Sequence, residues 1–257
     1  MSNGHGRVVE RHTIPLESHQ KGLSGLTIAH LSDLHAGPFM RQEHLQEIVA
    51  ETNELNPDIV AITGDIMNWQ PWYIPEVIHA FESLRARIGS FAILGNHDYY
   101  AGPKRLIRAF HDETPVRFVG KQRLTFTDLE GLTLTGVDDP MISLTEDYHY
   151  PEIGELSKEN HPDHFHLLIT HRPDAFGAAT RAGYDLVLAG HTHGGQVRLK
   201  MPWGKIWNIA QYATDYDQGF FTKGRTRLYV SRGLGYTGIK LRVDCPPEIA
   251  LFTLRAD

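Results

Sequence analysis

The feature that most constrains the fold is a recurrence: five times along the chain, a short apolar run stops at a cluster of aspartate, histidine, asparagine or glycine. The clusters are Asp33-Leu34-His35, Gly64-Asp65, Gly95-Asn96-His97-Asp98, His171 and Gly190-His191-Thr192-His193. Short apolar runs bounded by turn residues suit buried strands, and the amphipathic stretches between them suit helices laid on those strands. In open α/β sheets ligands collect beyond the carboxyl ends of the strands, so clusters remote in sequence are expected to converge in space.

Periodicity predicts strands at 26–32, 58–63, 91–94, 164–170, 184–189, 225–231 and 248–254. It predicts helices at 42–55, 75–87, 103–112 and near 174–182. Asn56-Pro57 ends the first helix, because the residue before a proline avoids the helical region. Runs 123–128 and 132–137, joined by Leu129-Glu130-Gly131, read as a hairpin that opens a second sheet. Residues 145–163, polar with Pro151 and Pro162, read as a long surface loop. With no linker-like stretch and no internal repeat, 1–257 is expected to be a single α/β domain.

The chain is 41% hydrophobic and 22% charged with no low-complexity tract, which rules out disorder as the default. Net charge is -6 and no Lys/Arg block occurs, so the basic footprint of a nucleic-acid partner is missing and none is expected. Cys245 is the one cysteine, which excludes an intramolecular disulfide and a Cys-rich metal site and fits a reducing compartment. No apolar run approaches the ~20 residues that span a bilayer. Residues 1–11 lack the apolar segment of a secretory signal, so the expected location is cytoplasmic.

Sixteen histidines are scattered along the chain, several beside Asp, Asn or Gly. Carboxylate, neutral imidazole and an asparagine carbonyl are donors for divalent Mn, Fe or Zn rather than for thiolate-loving metals. Asp-x-His and His-x-His put two side chains on one side of an extended segment. Taken singly, Gly64-Asp65, Asp33-Leu34-His35 and His171 read as well as a turn, a cap and a satisfied buried histidine. Two histidines in the Gly-rich turn 190–195 serve no packing purpose, and the five clusters together point to a metal site.

This ordered set closely resembles the calcineurin-like metallophosphoesterase superfamily over about 26–196. The tail, with Ser231-Arg232-Gly233-Leu234-Gly235 and Pro246-Pro247-Glu248, resembles its bacterial YkuE-type branch. The resemblance implies a four-layer α/β sandwich of two mixed β-sheets flanked by helices. It implies two divalent metal ions, one held by Asp33, His35 and His193, the other by Asn96, His171 and His191, with Asp65 bridging them. A hydroxide bridging the ions would attack phosphorus while His97, not itself a ligand, protonates the leaving oxygen; Asp98 is expected to orient the His97 ring. A catalytically inert scaffold on the same fold is the competing class, and it predicts lost ligands; none of the seven is missing.

Protein phosphatases of the superfamily carry Gly-Asp-x-Val-Asp-Arg-Gly and Gly-Asn-His-Glu, whereas here Asp65 precedes Ile66-Met67-Asn68 and His97 precedes Asp98. That leaves a small-molecule or lipid-linked phosphodiester, phosphomonoester or phosphoanhydride, including a UDP-2,3-diacylglucosamine pyrophosphatase-like activity in lipid A synthesis. Trp69, Trp72 and Tyr73 after Asp65, and Trp203 and Trp207 after the last motif, read equally as an acyl groove or peripheral contact with the inner membrane and as loop packing. Arg172 and Arg232 are the first candidates for a substrate phosphate, which guanidinium grips bidentately, with surface ion pairs as the alternative for both.

Overall fold

The computed structural model describes residues 6–127, 129–141 and 149–256, and its architecture follows from the two-sidedness of its strands. The first half supplies β1 (Val8–Pro15), β2 (Thr27–Leu31), β3 (Ile59–Ile62), β4 (Gly89–Ala92) and β5 (Val116–Phe118). Next come β6 (Gln122–Thr125), β7 (Leu132–Val137), β8 (Phe165–Thr170) and β9 (Leu186–Ala189). A short hairpin of β10 (Leu199–Lys200) and β11 (Ile206–Trp207) precedes β12 (Gly219–Lys223), β13 (Thr226–Val230) and β14 (Glu248–Arg255). The helices are α1 (Gln42–Glu54), α2 (Ile74–Phe81), α3 (Asn96–Tyr100), α4 (Pro103–Glu113), α5 (Pro151–Ser157) and α6 (Phe176–Arg181).

Two mixed sheets result, ordered β1-β14-β2-β3-β4-β5 and β12-β13-β9-β8-β7-β6. Alternate residues of each strand face opposite ways, so a wholly apolar strand serves two cores at once. Ile28, Ile59 and Ala61 meet Leu167, Leu186 and Leu188 between the sheets. Their neighbours Ala29, Val60 and Ile62 face outward onto Leu45, Ile48, Val77 and Phe110 of α1, α2 and α4. On the far side Leu168, Val187 and Ala189 pack on Ile153, Phe176 and Ala179 of α5 and α6. The layers are therefore helix, sheet, sheet, helix.

Several elements differ from the sequence reading. The second helix stops at Phe81, and β4 lies two residues earlier than expected, because Ile93 and Leu94 are buried beyond the strand rather than in it. The stretch read as a surface loop contains α5, started by Pro151, with Tyr150 and Ile153 buried. A proline at the first helical position costs no hydrogen bond, so it marks a helix start here rather than a break. Strands β1, β5, β10, β11 and β12 carry no separate apolar run in the sequence. Asp128 of the expected hairpin and residues 145–148 of the expected loop lie outside the described residues.

Candidate metal centre

Strands β2, β3 and β4 of one sheet are mutually parallel, as are β7, β8, β9 and β13 of the other. Asp33 and His35 follow β2, Asp65 follows β3, and Asn96 and His97 open α3 just after β4. From the second sheet, His171 follows β8, while His191 and His193 follow β9. The five clusters meet at the rim the two sheets share.

Their backbones are unusual. Asp33, His35, Asp65, His191 and His193 have φ of 53°, 48°, 50°, 71° and 52°, the left-handed region that costs a non-glycine residue on the order of 1–3 kcal/mol. Cross-loop bonds hold them there: Asp33 N–H donates to Gly64 O at 3.1 Å and His35 N–H to Asp65 O at 2.9 Å. A Cβ on Gly95 would strike the Asp65 backbone nitrogen and carboxylate, and one on Gly190 would overlap Ser32 Oγ and Asp33 Oδ2. Both glycines let the loops close around the acids.

Side-chain donors then gather in two groups that share Asp65. His35 Nε2 lies 2.9 Å from His193 Nε2, and His193 Nε2 lies 3.4 Å from Asp33 Oδ1. On the other side His171 Nε2 is 3.1 Å from both Asn96 Oδ1 and His191 Nδ1. Asp65 Oδ2 stands 3.5 Å from His35 Nε2 and 3.4 Å from His171 Nε2. Asp33, His35 and His193 form one set of potential ligands within 4.8 Å of one another; Asp65, His171 and His191 form a second, and His35, Asp65 and His97 a third.

The surroundings fix which atoms are free. His171 Nδ1 lies 2.8 Å from Thr63 O, which can only accept, so Nδ1 carries a proton and Nε2 is the atom turned inward toward the other donors. Thr63 Oγ1 donates to Ser32 Oγ at 2.7 Å, and Ser32 Oγ donates to Asp33 Oδ2 at 2.5 Å. His30 Nε2, 2.8 Å from Thr63 Oγ1, must then donate, which completes a relay that orients Asp33. The His191 backbone N–H reaches both Asp33 oxygens at 3.1 Å.

Burial governs the charges. It lowers His35 to about 3 and holds His191 and His193 well below the usual imidazole value, so these rings are neutral donors. Burial also opposes charge on His171, but Asp65 and Asp33 outweigh it and raise that ring to about 10. Burial would raise Asp65 as well; the charged His171 ring, which also hydrogen-bonds to it, more than offsets this and holds the carboxyl below the ordinary range.

The other residues named from sequence fall into distinct places. His97 is buried beside the centre; its ring Nδ1 lies 2.8 Å from Asn68 O, and its backbone N–H donates to Asp65 Oδ1 at 2.8 Å. Asp98 was expected to orient that ring. Its carboxylate instead accepts Met67 N–H at 2.8 Å and Gly95 N–H at 2.9 Å, because successive residues of α3 point to different sides, and Asn68 O takes the orienting role. Arg172 is buried, with Nε donating to Asp139 Oδ2 at 2.7 Å, close enough to His191 to contribute to its lowered pKa. Arg232 takes the ion-pair alternative: its guanidinium pairs with Glu10 and Glu248, two carboxylates at the β1–β14 edge. Trp69 meets the His97 ring edge-on at 4.7 Å and stacks on Tyr100 at 4.6 Å, whereas Trp203 is 67% exposed on the turn between β10 and β11.

Besides the relay residues and Asn68, Thr237 and Arg242 escaped the sequence reading. Thr237 Oγ1 lies 3.0 Å from His35 Nε2 and 2.9 Å from His193 Nε2. Arg242 donates to the carbonyls of Arg232, Gly233 and Gly235 at 2.8, 3.2 and 2.6 Å, tying down the loop that carries Thr237. The only signal was the Gly-Leu-Gly at 233–235, which marks a tight approach without saying to what.

A family model described as calcineurin-like phosphoesterase matches residues 26–195. The Bacillus subtilis protein called uncharacterized metallophosphoesterase YkuE is 33% identical over 273 residues, covering 98% of this chain and 90% of its own length. A metallophosphoesterase of Campylobacter jejuni is 29% identical across 90% of this chain, which spans 59% of that relative. A Danio rerio transmembrane protein with metallophosphoesterase domain is 30% identical across 94% of this chain, which spans 56% of it. Among solved structures, a dimetal phosphatase from Danio rerio superposes with TM-score 0.53 at 12% identity, covering 82% of this chain and 88% of that one. The protein TT1561 of Thermus thermophilus gives TM-score 0.51 at 11% identity, covering 82% and 90%. At such identities these structures share the fold alone.

Proposed function

Because this chain belongs to the calcineurin-like phosphoesterase family, whose members are metal-dependent phosphoester hydrolases, we propose that its seven clustered donors hold two divalent cations for hydrolysis of a small-molecule or lipid-linked phosphoester. Asp33, His35 and His193 are assigned to one ion and Asn96, His171 and His191 to the other. The observation that carries the assignment is Asp65 Oδ2, within 3.5 Å of His35 Nε2 and 3.4 Å of His171 Nε2, so that one carboxylate oxygen serves both halves. The donor set fits Mn, Fe or Zn, with neutral imidazoles, two carboxylates, an amide oxygen and no thiolate.

When bound, two such cations neutralise phosphoryl oxygens and acidify the attacking water. Four positive charges against the carboxylates of Asp33 and Asp65 leave the pocket net positive, and Arg172 adds to the field that draws a phosphate in. Asn96 and His191 are the assigned ligands left partly exposed, which favours substrate entry from their side. His97, its ring fixed through Nδ1 by Asn68 O, keeps Nε2 to deliver a proton to the leaving oxygen. Trp69, against that ring, forms an apolar wall for the leaving group. We take 1–257 as one functional domain, since both sheets build the central core and each supplies part of the donor set.

The test is hydrolysis of bis-p-nitrophenyl phosphate by manganese-loaded protein. Turnover that disappears on chelation and in Asp65→Ala supports the proposal. A loaded, folded protein inert toward mono- and diesters alike overturns it.

A further inference from the structure

The β10–β11 hairpin, the turn after it and the loop 236–241 carry an exposed apolar surface for which the hydrolytic chemistry has no use. Trp203 and Ile209 are 67% exposed, Tyr212 79%, Ile239 57%, Leu241 48% and Ile206 47%. The two segments are tied together: Val197 bridges Val243, Gln196 Oε1 accepts Thr237 N–H at 2.7 Å, and Gln196 Nε2 donates to Thr237 O at 2.9 Å. They also border the metal centre, because Thr237 Oγ1 reaches His35 and His193.

The charge of this region is one-sided. In a chain of net charge -6, residues 197–213 hold Arg198, Lys200 and Lys205 and no acid, and residues 236–243 hold Lys240 and Arg242 and no acid. The nearest acids in sequence are Asp215, Asp217 and Asp244, of which Asp217 is paired with Arg198 at 3.0 Å. Isolated exposed apolar residues need no explanation, but an apolar cluster beside a reactive centre does. Tryptophan and tyrosine settle at the level of lipid headgroups, isoleucine and leucine reach the acyl boundary, and lysine stems lie along the apolar surface while their ammonium groups meet anionic headgroups.

We propose that this face docks on an anionic lipid bilayer and holds the metal centre against phosphoesters of the headgroup layer. Docking rests on exposure and charge; the identity of the substrate as a lipid-borne ester rests on the hydrolase reading above.

The test is co-sedimentation of the full, manganese-loaded chain with phosphatidylcholine vesicles, with and without phosphatidylglycerol. Partition onto the mixed vesicles that salt reverses is expected. The variant Lys200→Glu/Lys205→Glu/Lys240→Glu should lower it at least ~10-fold, since each basic residue near an anionic surface contributes about a fivefold factor. Ile209→Ser/Tyr212→Ser should weaken it as well, while both variants keep the parental rate on bis-p-nitrophenyl phosphate, which shows the pocket intact. Equal partition onto both vesicle types, or undiminished binding by the charge-reversed variant, overturns the proposal. So does a dimer, seen by sedimentation velocity, that Ile209→Ser/Tyr212→Ser dissolves without changing vesicle binding, for then the face joins two copies. Vesicle binding that follows these expectations in a protein inert toward every ester would count against the hydrolase reading and leave docking standing.

Discussion

Asp65 and His97 separate two kinds of contribution at the residue scale. Asp65 touches both halves of the donor set, so Asp65→Ala should abolish turnover and cut bound metal to one equivalent or none, read by elemental analysis beside the circular dichroism of the folded chain. His97→Asn should retain the metal and lower kcat by about 10²–10⁴-fold, the range of a lost general acid; a kcat within threefold of the parent would remove His97 from the chemistry. That the five clusters converge was legible because each follows an apolar strand and two histidines in a Gly-rich turn have no packing purpose; their partition between two ions rests on the family resemblance. Asp98 was misread, and the choice between phosphate and ion pair at Arg232 stayed open, because sequence does not reveal which acceptor or carboxylate a side chain will meet once buried. Thr237, more than forty residues past His193, reaches His35 only through the tertiary fold.

Among the elements, β2 and β8 each bury a histidine that the chemistry does not use directly. Burial alone lowers His30 to about 3, and burial lowers His166 to about 4. Both rings are neutral in the folded chain but take up a proton on unfolding below about pH 6.5, so the unfolded state binds more protons there. Stability is therefore fully present above pH 6.5 and falls as pH drops toward 4 and then 3, by about 1.4 kcal/mol per pH unit for His30. Urea unfolding across that window checks the slope, and His30→Gln should reduce it. Leu167 on β8 packs between the sheets, and Leu167→Ala should cost about 2–5 kcal/mol in the same assay. The buried two-sided strands were readable as apolar runs. Strands β1 and β12, with VVERHTIP and GFFTK, mix polar and apolar residues at sheet edges and carry no such run.

The whole molecule couples ions to protons. Asp65 and Asp33 hold a proton on His171 up to about pH 10, and a cation that takes Nε2 must displace it. Loading at neutral pH should then release protons, and apparent affinity should rise with pH; calorimetry in buffers of different ionisation enthalpy reads both. The layered class of the fold was legible from runs apolar on both faces and from the resemblance, but the strand orders were not, since β14 inserts between β1 and β2 from the far end of the chain. Most direct of all is a manganese titration of the chelator-stripped, folded chain. Two equivalents bound per chain, falling to one or none in Asp65→Ala, are expected; a folded chain that binds no divalent ion would contradict the dinuclear centre and the hydrolysis built on it.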